Sequence, residues 1–183
     1  GKDNNWEALN RLQELLKLPT LPWRIDGFDI SHTSGKETVG VAVVFEQGYP
    51  NTSLYRRFNI KSVEGIDDFR SLNETLLRRY KRCISGQEPM PQLILIDGGP
   101  VQLEFAMEAT KELGLTDIPM ISLAKEEEEI YLPGQKESLR LDRTDPALRL
   151  LQYVRDESHR YAITSHRAAR SRNFRRSRLE EVP

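Results

Sequence analysis

Apolar positions along the chain change their spacing several times, and each change predicts an element. Residues 5 to 18 carry Trp6, Leu9, Leu12, Leu15 and Leu16 at helical intervals and stop at Pro19. Pro19 to Arg24, with Pro22 inside, reads as a linker. Residues 24 to 33 and Thr38 to Phe45 then read as two strands joined by a turn at Gly35 and Lys36. Gly48, Pro50 and Asn51 mark a second turn. Leu54 to Ile60 alternates apolar and polar positions, a third strand with one wet side. Short turns between the three predict an antiparallel meander.

Helical spacing returns from Asp67 and Asp68 to about Cys83, with Phe69, Leu72, Leu76 and Tyr80 on one stripe. Ser85 to Pro91 is a loop. Leu93 to Ile96 is wholly apolar, the pattern of a strand buried on both faces in a parallel sheet. Asp97, Gly98, Gly99 and Pro100 lead into a helix to about Leu113. Ile118 to Leu123 is a second buried strand, residues 129 to 141 a small hairpin, and about 145 to at least 168 a long helix with a frayed basic tail beyond it. This order predicts an α/β fold, a mixed sheet with helices on both faces. It agrees with the RNase H-like arrangement of a three-strand antiparallel meander followed by parallel strands.

Length and composition add limits. A chain of 183 residues suits one domain with short extensions, and 38% hydrophobic with 30% charged residues excludes a disordered chain. The expected division is a helix and linker over 1–22, a domain over 23–170, and a basic tail over 171–183. Cys83 is the single cysteine, which fits a reducing compartment. No apolar run approaches the ~20 residues of a membrane span. These features give a cytoplasmic expectation. A chain opening on Gly1 reads as a fragment, with further domains expected outside it. The net charge of -1 hides an asymmetry. Between Arg149 and Arg178 stand nine arginines and only two acids, Asp156 and Glu157, while Glu126 to Glu129 is an acidic run. A basic segment on an acidic body suits a nucleic-acid backbone as well as it suits a solvated helix face.

Three residues are candidates for chemistry. Asp29 lies between Phe28 and Ile30 inside the first strand, where a carboxylate costs free energy unless a cation or hydrogen bond compensates. Asp97 closes an apolar strand and precedes two glycines that open the backbone to a phosphate or metal. It also suits a plain helix cap. His159 shares a helix face with Arg155 and His166 and by itself reads more readily as a surface histidine among arginines. Together, two carboxylates and a histidine suit Mg²⁺ or Mn²⁺. No zinc-type cysteine–histidine set, phosphate-binding loop or serine-nucleophile elbow is present. His32 reads as a turn or structural residue.

Seven short segments, in order, carry a resemblance. They are Phe28-Asp29-Ile30-Ser31-His32-Thr33, Tyr55-Arg56-Arg57-Phe58-Asn59-Ile60, Asp67-Asp68-Phe69, Leu95-Ile96-Asp97-Gly98-Gly99, Leu123-Ala124-Lys125, Ile130-Tyr131-Leu132-Pro133-Gly134, and Arg155 through Ile163. Over roughly residues 20 to 183 the chain resembles the C-terminal half of the UvrC family, nuclease subunits of the bacterial UvrABC excision-repair system. The resemblance implies an RNase H-like endonuclease, dependent on Mg²⁺ or Mn²⁺, that cuts the damaged strand of double-stranded DNA 5′ to a lesion. It implies an Asp29–Asp97–His159 catalytic triad, with Asp68 also implicated. The arginines Arg155, Arg160, Arg167 and Arg170 would then hold the DNA backbone. UvrB, with UvrA upstream, would engage parts of the full protein outside this chain, as would the 3′ cut. One departure stands out: Pro100 and Val101 replace a Lys-Gly pair common after Asp-Gly-Gly in the family. Two other readings remain: a different RNase H-like nuclease, such as a resolvase or Argonaute-like slicer, and a non-catalytic binding module.

Overall fold

Alternating side chains on β-strands give one sheet two apolar faces, and helices cover both. The computed structural model describes the backbone of residues 2–32, 37–61 and 68–180 and the side chains of 5–32, 37–60 and 69–164. Its elements are α1 (Lys2–Leu16), β1 (Arg24–His32), β2 (Glu37–Glu46), β3 (Tyr49–Pro50), β4 (Arg56–Lys61), α2 (Asp68–Ile84), β5 (Leu93–Asp97), α3 (Pro100–Glu112), β6 (Met120–Ala124), β7 (Glu129–Tyr131), β8 (Leu139–Arg140) and α4 (Pro146–Glu180). The strands form one sheet in the order β3-β2-β1-β5-β6-β7-β8, with β4 also paired to β2. β1, β2 and β4 make the expected antiparallel meander. β5 runs parallel to both β1 and β6. The fold is thus mixed α/β.

Strand parity sorts the core. Leu93 and Leu95 of β5 join one cluster, where α1 (Ala8, Leu9, Leu12) and α4 (Leu148, Leu151, Val154) pack on the sheet. Ile94 and Ile96 join the other, with α2 (Leu72, Leu76, Tyr80) and α3 (Leu103, Ala106, Ala109). A strand buried on both sides needs the uninterrupted apolar run seen here. On the α2 face lies a buried ionic network. The fully buried Asp26 accepts a hydrogen bond from the Tyr80 hydroxyl at 2.8 Å and faces the Arg79 guanidinium at 3.7 Å. Arg79 also pairs with Glu88, which takes further bonds from Arg56 and Arg82.

Four details depart from the sequence expectation. A two-residue strand at Tyr49–Pro50 follows Gly48, whose φ of +83° makes the turn, and pairs back onto Phe45 and Glu46. Residues 52–54 form a 3₁₀ turn capped by Asn51, so the third meander strand begins at Arg56 rather than Leu54. Helix α4 continues to Glu180 where a frayed tail was expected after about 168. Arginines dominate that stretch, and it has no glycine or proline to end it. Trp6 sits on the predicted α1 stripe yet is 43% exposed.

Candidate active site

Register brings the two aspartates together. Phe28 on β1 lies beside Ile96 on β5, so one step further Asp29 lies beside Asp97 at the carboxyl ends of two parallel strands. Both point toward the face covered by α4. That helix approaches closely because Gly27 has no side chain: a Cβ there would stand 2.6 Å from Cγ1 of Val154. From Val154 to His159 the helix rises ~7.5 Å. From Gly27 to Asp29 the strand rises ~6.6 Å. The histidine therefore arrives over the aspartate, and its Nδ1 is 3.2 Å from Asp29 Oδ2. One ligand atom from each of Asp29, Asp97 and His159 can be chosen so that all lie within 4.8 Å of one another.

The backbone after Asp97 turns sharply. Gly98 has φ +143°, a conformation that only glycine adopts readily, and its N–H donates to the Leu123 carbonyl at 3.1 Å. The Gly99 N–H is taken by Gln102 Oε1 at 3.0 Å, and Pro100 opens α3. Those two amides are thus already bonded within the protein.

The electrostatics are set by burial and proximity. Burial, followed by the neighbouring Asp29 charge, pushes the Asp97 carboxyl up to about 6. Burial raises Asp29 as well, opposed by a hydrogen bond from the Ile30 N–H (2.8 Å) and by His159. Arg155 and Lys125 both help keep Asp97 ionised, and Lys125 does the same for Asp29. His159 itself is half exposed, while Asp29 is nearly enclosed.

Other sequence candidates fall less close. Arg155 is buried, with one guanidinium nitrogen 2.6 Å from Glu128 and another 3.1 Å from Asp156. It braces the 126–129 turn against α4, and the expected DNA-backbone contact would have to compete with these two pairs. Arg160 is exposed but bonded to Glu157, which also accepts from the Tyr55 hydroxyl at 3.0 Å. Asp68 opens α2, and its side chain lies outside the described residues, as do those of Arg167, Arg170 and His166. His32 Nδ1 meets Thr38 Oγ1 at 2.9 Å across the β1–β2 pair, a structural contact. Sequence reasoning gave no role to Lys125 or Glu128. Lys125 closes one of the segments that carry the resemblance and Glu128 stands in an acidic run, but neither has a neighbour to act on until the fold supplies it.

The family profile of the UvrC RNase H endonuclease domain matches residues 13–163. UvrABC system protein C of Koribacter versatilis is 49% identical over 94% of this chain and 28% of its own length. That of Methanococcoides burtonii is 48% identical over 100% of this chain and 30% of its own length. The chain thus spans less than a third of the curated relatives it matches. Among solved structures, the endonuclease V of Streptomyces avermitilis superposes with a TM-score of 0.51 at 14% identity, covering 92% of this chain and 94% of that one. This likeness supports an RNase H-like fold. By profile and by relatives, the chain belongs to the UvrC RNase H endonuclease domain family.

Proposed function

We propose that this domain is the divalent-metal-dependent DNA endonuclease that makes the 5′ incision beside a lesion in nucleotide excision repair, working in the cytoplasm. The observation that carries the reading is the convergence of Asp29, Asp97 and His159 from three separate elements. Two carboxylates held together against both burial and mutual repulsion fit a divalent cation, which would offset both costs. Their hard oxygens suit Mg²⁺ or Mn²⁺, and the imidazole extends the set toward Mn²⁺. Such an ion, when bound, polarises a phosphate oxygen and acidifies a water.

The remaining work falls to the chain. Asp29 and Asp97 hold the reacting centre at the strand ends. His159, half exposed and 3.2 Å from Asp29, completes the ligand set or moves a proton between that centre and solvent. The substrate is double-stranded DNA. Arg160 and the arginines at 167 and 170 hold its backbone without reading sequence. Asp68, opening α2, is a further acidic contributor to the cut. UvrB and UvrA act through parts of the longer protein.

The test uses the full-length protein in a reconstituted incision assay on a lesion-bearing duplex. Asp29→Ala and Asp97→Ala should each lower the 5′ incision rate by about three orders of magnitude and leave the 3′ incision intact. Full 5′ incision by Asp29→Ala would end the proposal.

A further inference from the structure

We propose that Lys125 is a fourth, cationic member of this site, whose ammonium binds a non-bridging oxygen of the scissile phosphate. The inference rests on the endonuclease reading and adds a residue to it. Its basis is strand register. Asp97 on β5 is level with Leu123 on β6, and side chains two apart on a strand share a face. Leu123 belongs to the core beneath α4, and Lys125 opens the turn that directly follows β6. Asp29, Asp97 and Lys125 thus stand at or just past the carboxyl ends of three adjacent strands. That is where α/β sheets gather ligands.

The placement is supported by field and by freedom. The Lys125 charge reaches both carboxylates and lowers both. The side chain is exposed, and no ion pair or hydrogen bond engages it among the described residues. This is notable because four glutamates follow it directly. Three of them are already paired: Glu127 and Glu129 with Arg140, and Glu128 with Arg155. The arginines absorb the acidic run, and the lysine is left to face the site.

Chemistry gives such a cation a task. A phosphodiester entering a pocket with two carboxylates adds negative charge, and more develops as water attacks. A fixed positive charge at the non-bridging oxygens stabilises that change more than it stabilises the bound substrate. A lysine suits a single oxygen as a compact charge on a flexible stem.

The experiment compares full-length Lys125→Met and Lys125→Arg with the parent at pH 8, with Asp29→Ala in parallel. Lys125→Met should lower the single-turnover 5′ incision rate about 100-fold, near the lower end of what losing one preorganised charge costs. The 3′ incision should persist, and Lys125→Arg should recover part of the 5′ rate. Mn²⁺ affinity is the second readout. Removing a cation beside the carboxylates should leave Mn²⁺ binding equal or tighter. A 5′ rate within twofold of the parent would overturn the proposal. So would a rate that falls together with Mn²⁺ affinity, since Lys125 would then act only through the carboxylates. Unchanged 5′ incision in Asp29→Ala would instead sink the endonuclease reading itself.

Discussion

At the residue scale the main lesson comes from two aspartates three positions apart on one strand. Asp26 and Asp29 both stand inside β1, and the argument that a carboxylate there wants a cation applies to each. Strand parity sends them to opposite faces. Asp26 accepts a hydrogen bond from Tyr80 and faces the Arg79 guanidinium at 3.7 Å, so the fold itself supplies its cation. Asp29 meets Asp97 and His159, which leaves an uncompensated pair of acids. The sequence made Asp29, Asp97 and His159 legible as candidates, because each broke a local pattern. It could not show that Asp26 has a built-in partner, since Arg79 lies on a helix 53 positions away. The unbalanced pair has a measurable cost. The Asp97 carboxyl titrates at about 6 in the fold against an ordinary 3.8. Its ionised form therefore opposes folding, fully above about pH 6 and not at all below about pH 4. Without metal at pH 7.5, Asp97→Asn should be more stable than the parent by on the order of 2 kcal/mol, a gain that disappears toward pH 4. Urea unfolding in EDTA across that range measures it, and a destabilised variant at pH 7.5 would refute the account.

At the scale of elements, the site depends on how closely α4 lies on β1. The strands and helices themselves were readable from period, since long apolar runs and 3.6-residue stripes dominate them. What could not be read was contact distance. Gly27 is one glycine among eleven, and only its position under Val154 reveals its task. The Tyr49–Pro50 strand was hidden for a related reason: it exists because a turn folds it back, not because its residues favour a sheet. Gly27→Ala places a methyl 2.6 Å from Val154 Cγ1 and must push the helix or the side chain away. The expected cost is about 1–3 kcal/mol of stability. The 5′ incision rate should fall as well, because His159 rides on the same helix. Val154→Ala, added to Gly27→Ala, removes the obstructing methyl and should recover much of that rate. Rate loss that the second substitution leaves untouched would show that the spacing of α4 is not what positions the histidine.

Across the whole molecule, the sheet separates two kinds of charge. The α2 face holds a buried network in which the Arg79 guanidinium stands between the carboxylates of Asp26 and Glu88. The α4 face holds the open site, and α4 itself carries the arginine-rich stretch beyond it. Total charge is near neutral, so affinity for DNA must come from this asymmetry rather than from net attraction. Arginines on one helix have two different roles here. Arg155 is buried in its pairs with Glu128 and Asp156. Arg167 and Arg170 lie further along the same helix, about two and three turns beyond His159. Each phosphate contact contributes about 0.9 to the slope of log affinity against log salt. Replacing Arg167 and Arg170 together by Gln should therefore reduce that slope by about 1.8 in a DNA-binding titration from 50 to 200 mM salt. Incision at saturating DNA should be kept. Arg155→Gln should behave oppositely, lowering stability while leaving the slope alone, because its charge is engaged by Glu128 and Asp156. A slope unchanged by the double substitution would remove the C-terminal part of α4 from the DNA path and assign backbone contact to another surface.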